Sequence, residues 1–289
     1  MLLDIIISTL INGSVYALLA IGFSLIFGVA RIVNIAHTAF YMIAAYCIYF
    51  ITNSLNLHPL LGMLTAIVLV TLIGLISYKF FIDPIREHEA AVLIATIALA
   101  MILQEVMLLI FTGDFLSVPS LIKGYMEFFG VRIAFQQLLT IGVALVILAA
   151  VWVLLRKTRL GLAIRSTAND REVANLMGMN VAQVAMMTMG VSVALAAFTG
   201  AVVVPLTILN PHMWMHPLIM MMAVVVLGGL GSIKGSFVGA YILGMAESLV
   251  VFLIPMGSFL KGSVALSIMI LVLLIRPEGL FGVAFEEER

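Results

Sequence analysis

Charge is what this chain has least of. Only 10% of its 289 residues are Asp, Glu, Lys or Arg, where soluble domains carry about 25%. Its mean hydropathy is +1.27. So little polar surface cannot cover a water-soluble fold, and a soluble globular domain is excluded. The 14 basic and 14 acidic residues cancel, so nothing in the charge balance points to nucleic acid, and none is expected as a partner. The lone cysteine, Cys47, excludes an intrachain disulfide. No Pro- or Ser-rich linker divides the chain, so residues 1–289 read as one domain. The opening "MLLDIIIS" lacks a basic n-region, and the first apolar run is expected to stay as a span rather than be cleaved as a signal peptide.

What the chain has instead is a succession of long apolar runs. A membrane-spanning helix needs about 20 such residues, and only helices and closed barrels satisfy their backbone in lipid. The runs are continuous rather than alternating, which selects helices over a barrel. Spans are expected at about 5–28, 35–51, 60–82, 90–111, 135–155, 181–209, 218–233, 236–254 and 258–275. The predicted fold is therefore all-α: a polytopic membrane protein of 8–9 transmembrane helices, some of them short or broken. The weak span is 218–233, "LIMMMAVVVLGGLGSI". At 1.5 Å per residue it reaches roughly 24 Å, short of a ~30 Å hydrocarbon core. Interrupted segments of this kind are typical of transporters, where freed backbone groups line a path.

The cations set an orientation. Residues 156–180, "RKTRLGLAIRSTANDREVANLMGMN", hold five of the 14 Lys and Arg residues. If this loop is cytoplasmic and the spans alternate outward from it, Arg31, Lys79, Arg86, Lys234, Arg276 and Arg289 also fall inside. Only Lys123, Arg132 and Lys261 fall outside. That 11-to-3 split obeys the positive-inside rule, with the N-terminus outside and the C-terminus cytoplasmic.

Several polar constellations interrupt the apolar background. In the 156–180 loop, Asn169 is expected to cap a short helix whose third residue is Glu172. Val173, Ala174, Leu176 and Met177 then form an apolar stripe, and Gly178 suits a left-handed C-terminal cap. Such a helix either rests on anionic headgroups, with membrane lipid as its partner, or docks into a soluble partner. In "RIVNIAHTAFYM" (31–42), Arg31, Asn34 and His37 recur every third residue, near one helical face. They either line a cavity or sit solvated in a tight turn. Gln104 and Glu105 lie deep in the fourth span and Glu247 in the middle of the eighth. Intramembrane carboxylates are functional candidates, or else hydrogen-bonded packing residues. "NPHMWMHP" (210–217) has soft-metal ligand types, but Trp214 at a predicted boundary reads more simply as an interfacial anchor, and no metal site is expected. "GGLGSIKGS" (228–236) fails the Walker spacing, because Lys234 precedes Gly235. With no nucleotide loop, HExxH pair or nucleophile elbow, the chain does not read as an enzyme.

Four segments together resemble a known family. "NGSVYALLAIGFSLIFGVARIVNIAHTAFYMIAAY" (12–46), "TIALAMILQEVMLLIF" (96–111), "VVLGGLGSIKGSFVGAYILGMAES" (225–248) and "IRPEGLFG" (275–282) occur in the order found in branched-chain amino acid ABC transporter permeases of the LivH type. The similarity spans nearly the whole chain. It implies an importer in the bacterial cytoplasmic (inner) membrane. A second, LivM-like permease, two ATPase subunits and a periplasmic solute-binding protein are the implied partners. ATP and magnesium would be held by the ATPases, and this chain would bind no cofactor.

By the same resemblance, 156–180 is the cytoplasmic coupling loop. "EVANLMG" (172–178) is similar to the Glu-Ala-Ala…Gly loop of ABC permeases. Glu172, Ala174 and Gly178 match, and Val173 departs at the second position. The implied coupling residues are Arg165, Glu172, Val173, Ala174, Met177 and Gly178. Asn34, His37, Tyr41, Gln104 and Glu105 are the candidates for the translocation path between the two permeases. Three positions depart from the family pattern: Thr38 and Ala44 where Gly is usual, and Glu105 where Asn is common. The wider subfamily carries urea, short amides and organic acids as well as amino acids, so the resemblance implies a small polar solute. The rival expectation is a stand-alone secondary transporter or channel, with Glu105, Glu247 and His37 as a proton or ion relay.

The charge split makes the topology testable. A cysteine introduced at Ser166 should react with a membrane-impermeant thiol reagent only when the cytoplasmic face is opened. One introduced at Ser120 should react in intact cells. The reverse pattern would overturn the orientation.

Overall fold

The computed structural model describes residues 1–128 and 131–282. Arg289, one of the expected inside cations, lies outside the described residues. The helices run α1 (Leu2–Ala30), α2 (His37–Tyr49), α3 (Pro59–Ser77), α4 (Glu89–Phe111), α5 (Phe135–Lys157), α6 (Arg159–Asn169), α7 (Arg171–Leu176), α8 (Val181–Val203), α9 (Met215–Gly228), α10 (Ile233–Leu253) and α11 (Lys261–Ile275). A two-stranded antiparallel hairpin, β1 (Tyr125–Phe128) and β2 (Val131–Ala134), precedes α5. Single π-helical turns at Phe50–Ser54 and Tyr78–Ile82 prolong α2 and α3.

Each expected span has a helix. Six helical stretches, containing α1, α3, α4, α5, α8 and α10, are long and apolar enough to cross a membrane. α2, α9 and α11 are shorter, with 13, 14 and 15 residues. The short seventh span is α9, shifted a few residues toward the N-terminus of its expected range. Proline and polar caps fix several starts. His58 accepts from the Leu60 N–H ahead of Pro59, Asn180 from the Gln183 N–H, and Ser232 from the Gly235 N–H.

α1 is the axis of the fold. It is buried without interruption from Gly13 to Ile26, surrounded by α10, α8, α9 and α5. A helix hydrophobic all round belongs in such a core. Lipid tails are as apolar as leucine, so burial alone does not drive helices together in a bilayer; close packing and interhelical hydrogen bonds do. The α1–α10 contact has both. Ser24 and Ser236 hydroxyls lie 2.6 Å apart, Ser14 and Tyr241 hydroxyls 3.0 Å, and the Tyr16 hydroxyl donates to Glu247 Oε2 at 2.5 Å. Gly244 lies so close to α1 that a Cβ there would come within 2.8 Å of Gly13 N.

The glycine-rich segment 228–236 contains the tight turn between α9 and α10, residues 229–232, and the first turn of α10. Gly229 and Gly231 take positive φ of 99° and 80°, which glycine adopts without steric cost. The chain end folds back on this turn: the Leu280 N–H donates to Leu227 O at 2.8 Å and the Phe281 N–H to Gly228 O at 3.0 Å. Arg31 ends α1 in the left-handed region at φ 57°, its N–H bonded to Phe27 O. Residues 31–34 are not helical. Arg31, Asn34 and His37 therefore do not share a helical face as their spacing suggested: Arg31 is exposed, and the other two are buried.

The α9–α10 turn yields a stability prediction. A Cβ on Gly235 would collide with the backbone of Gly228, whereas a Cβ on Gly142 of α5 meets nothing within 4 Å. Gly235→Ala should destabilise by about 1–3 kcal/mol. Gly142→Ala should be neutral or stabilising by up to about 1 kcal/mol. Thermal unfolding of the detergent-extracted chain reads both; an equal effect would refute the close packing.

Candidate functional site

Two places carry the functional candidates: the polar break between α1 and α2 with the neighbouring stretch of α4, and the α6–α7 loop.

At the break, Asn34, His37 and Thr38 are wholly buried and Tyr41 is 3% exposed. Asn34 Nδ2 lies 3.8 Å from Met189 Sδ of α8, and His37 Nδ1 lies 3.3 Å from the Ser192 hydroxyl of the same helix. The Ile35 N–H donates to the Thr96 hydroxyl of α4 at 3.3 Å. These contacts tie the non-helical backbone to two spans, and such backbone is tolerated at membrane depth when protein buries it. Asn34 Oδ1 and Thr38 Oγ1 have no hydrogen-bond partner among the described residues, while the His37 ring lies against α1, near the Leu19 carbonyl. Two such atoms within five consecutive residues are a concentration of unused polarity, since buried polar groups are ordinarily paired.

On α4, Gln104 and Glu105 part company. Gln104 is 7% exposed. Its Oε1 accepts from the Trp214 indole N–H at 2.9 Å and its Nε2 donates to Glu105 Oε1 at 3.2 Å. Glu105 itself is exposed. Trp214 is thus no interfacial anchor: it is 5% exposed, and its N–H is spent inside on α4. No sequence signal linked Trp214 to Gln104 across 110 positions.

Glu247 is sealed between helices. It is 2% exposed, accepts from Tyr16, and lies 3.0 Å from the Lys261 ammonium at the start of α11. Lys261, one of the three cations expected on the outer side, joins α11 to α10. A buried carboxylate met by a cation and a hydroxyl is a paired structural group. No hydrogen bond among the described residues connects Glu105, Glu247 and His37 into a chain. The relay has no wire here.

The α6–α7 loop has two helices where one was expected. Thr158 caps α6 by accepting from the Gly161 N–H, and α6 buries Gly161, Ile164 and Thr167. Asn169 is the last residue of α6, not the cap of the next helix. Asp170 is that cap, its carboxylate accepting from the Glu172 and Val173 N–H groups at 2.9 and 3.0 Å. An aspartate there also favours the positive end of the helix. Gly178 has the expected positive φ, 83°. Of the apolar stripe, Ala174 turns inward at 2% exposure, while Val173, Leu176 and Met177 stand 53%, 85% and 78% exposed. Arg165 and Glu172 are exposed beside them. Arg86, just past the turns that follow α3 and paired with Asp83 at 2.9 Å, joins Arg171, Glu172, Asn175 and Asn180 around an open polar cleft of about 580 Å³. Arg171 Nη1 also reaches Ala30 O at 3.5 Å. The ends of α1 and α3 and the α6–α7 loop therefore gather their cations at one end of the molecule.

The comparisons agree with this architecture. A family model described as "Branched-chain amino acid transport system / permease component" matches residues 5–275. The high-affinity branched-chain amino acid transport system permease protein LivH of Escherichia coli K12 is 30% identical over 93% of this chain and 92% of its own length. BraD of Pseudomonas aeruginosa, a permease protein of the same kind of system, is 30% identical over 96% and 94%. A probable LivH permease of Methanocaldococcus jannaschii is 27% identical over 96% and 92%. Among solved structures, PsaBC from Streptococcus pneumoniae in complex with Fab has a TM-score of 0.52 at 18% identity, covering 94% of this chain and 91% of that one, a likeness of fold. With the match running from the first span to the last, through the α1–α2 break and the α9–α10 turn, the chain belongs to the family of branched-chain amino acid transport system permease components.

Proposed function

We propose that this chain is one of two permease subunits of an ATP-driven importer for branched-chain amino acids. The full-length similarity to LivH and BraD supports that reading, and one feature of the fold carries its coupling to ATP: the exposed apolar residues of α7. Val173, Leu176 and Met177 stand in the open on the loop whose cleft Arg86 and Arg171 line. An apolar helix face held out in that way is suited to a groove on a partner. The partner is an ATPase, two copies of which sit on the cytoplasmic side and hold ATP and magnesium. This chain supplies the docking knob, with Arg165, Glu172 and Gly178 framing it.

The chain's own work is conformational. A permease pair offers an outward-open and an inward-open arrangement, and the ATPases bias the choice through their differential contacts with the two. The solute arrives from a periplasmic binding protein and crosses between this subunit and a LivM-like one. The subunit sits in a bacterial inner membrane with the N-terminus outside and the C-terminus in the cytoplasm. Asn34, His37 and Tyr41 lie within the subunit, where Asn34 and His37, tied to α8, hold the α1–α2 break in register behind the path. Of the α4 pair, Gln104 supports and Glu105 is presented.

Copurification and reconstituted uptake test the assignment: the chain should bring down a second permease and an ATPase, and the complex should accumulate leucine, isoleucine or valine only with ATP and a loaded binding protein. A discriminating variant is Val173→Asp. Burying a valine contributes about 1.5–3 kcal/mol, so ATPase affinity should fall by roughly one to two orders of magnitude, while insertion of the spans is unchanged. If α7 instead rests on headgroups, Val173→Asp will leave the complex intact, and neutralising Arg165 and Arg171 together will weaken its response to anionic lipid.

A further inference from the structure

Past its first residue, Glu89, the outward face of α4 is hydrocarbon with one exception. Met101, Ile102, Val106 and Leu109 are all exposed, and Glu105 is exposed between them. The carboxylate is six residues from the end of α4 at Phe111, about 9 Å along the axis. No cation among the described residues pairs with it. An ionisable side chain at this depth faces a partner or a water-filled cavity rather than lipid.

The group is also held in place. The Trp214 indole fixes the Gln104 amide through its oxygen, and the amide nitrogen in turn donates to Glu105 Oε1. This leaves Oε2 without a hydrogen bond among the described residues. A buried tryptophan thus anchors, through one amide, a carboxylate that has an acceptor to spare. Glu247 makes the contrast: its two oxygens are taken by Tyr16 and Lys261.

We infer that Glu105 faces the translocation path and accepts the ammonium group of the passing solute, while Met101, Ile102 and Val106 meet its hydrocarbon side chain. The inference rests on the inter-subunit path proposed above and assigns one residue to the protonated amine of its solute. A neutral amide lacks the charge, and an organic acid without an amine is repelled.

Two measurements on the full transporter in proteoliposomes test it. In the first, Glu105→Cys is made in a Cys47→Ala background and treated with a charged, water-soluble methanethiosulfonate. The thiol should be modified, and leucine with binding protein should slow the modification. A thiol that stays unmodified faces lipid or a sealed contact and overturns the proposal. In the second, leucine uptake is compared for wild type, Glu105→Gln and Glu105→Asp. Glu105→Gln should lose about tenfold or more in uptake, keep its ATP hydrolysis in response to loaded binding protein, and be largely rescued in the Glu105→Asp chain. Wild-type uptake by Glu105→Gln overturns the ammonium role even if the cysteine is modified. Loss of the partner permease from the Glu105→Gln complex overturns it in favour of an intersubunit contact. A wild-type complex that moves no branched-chain amino acid strikes the proposed substrate instead, and the first measurement, repeated with the solute it does move, still decides whether Glu105 lines the path.

Discussion

The rest of the structure depends on how α1 is held. It is buried on every side, and in a bilayer hydrophobicity alone holds no helix against its neighbours. Its small residues let α10 approach until Gly13 and Gly244 nearly touch. The Ser24–Ser236, Ser14–Tyr241 and Tyr16–Glu247 contacts then fix the register along the seam. These groups have no water to fall back on, so losing one partner strands the other in a medium where an unpaired polar atom costs several kcal/mol.

That seam also sets where the chain is free to vary. The α9–α10 turn needs glycine at Gly228 and Gly235 because backbone meets backbone there, and the 275–282 segment packs on the same turn through Leu280 and Phe281. Two stretches quoted separately as family signatures are thus one packed unit. At the same end of the molecule, α6 is anchored by Gly161, Ile164 and Thr167, whereas α7 is held chiefly by Ala174 and by the Asp170 cap. A rigid base with an exposed apolar tip suits an element that must transmit displacement from a partner to the spans.

The two intramembrane carboxylates show how the same residue type acquires opposite roles. Glu247 is neutralised by Lys261 and Tyr16 in the core, joining α1, α10 and α11. Glu105 is held by a single amide and faces outward. Hydropathy treats them alike; the difference is which neighbours the fold brings to them.

Length and hydropathy were enough to establish an all-α membrane protein, a helix at each long apolar run and the polar loop. These properties are local: a span is a run of apolar residues, and a loop is where the run stops. The left-handed glycine at 178 and the short seventh span were legible for the same reason, since each depends on a few adjacent residues. Local reading failed where a side chain has a choice of neighbours. Asn169 and Asp170 are both good caps, and only the end of α6 decides between them. Trp214 looked like an interfacial anchor until α4 supplied Gln104, and Lys261 read only as an outer-side cation until α10 supplied Glu247. The three-residue spacing of Arg31, Asn34 and His37 suggested one helical face, but Arg31 closes α1 in a left-handed cap and the backbone leaves the helix there. Which polar groups are buried, and which one is left facing outward, is fixed by contacts between different helices, some from residues 110 and 231 positions apart, and only the tertiary structure decides those.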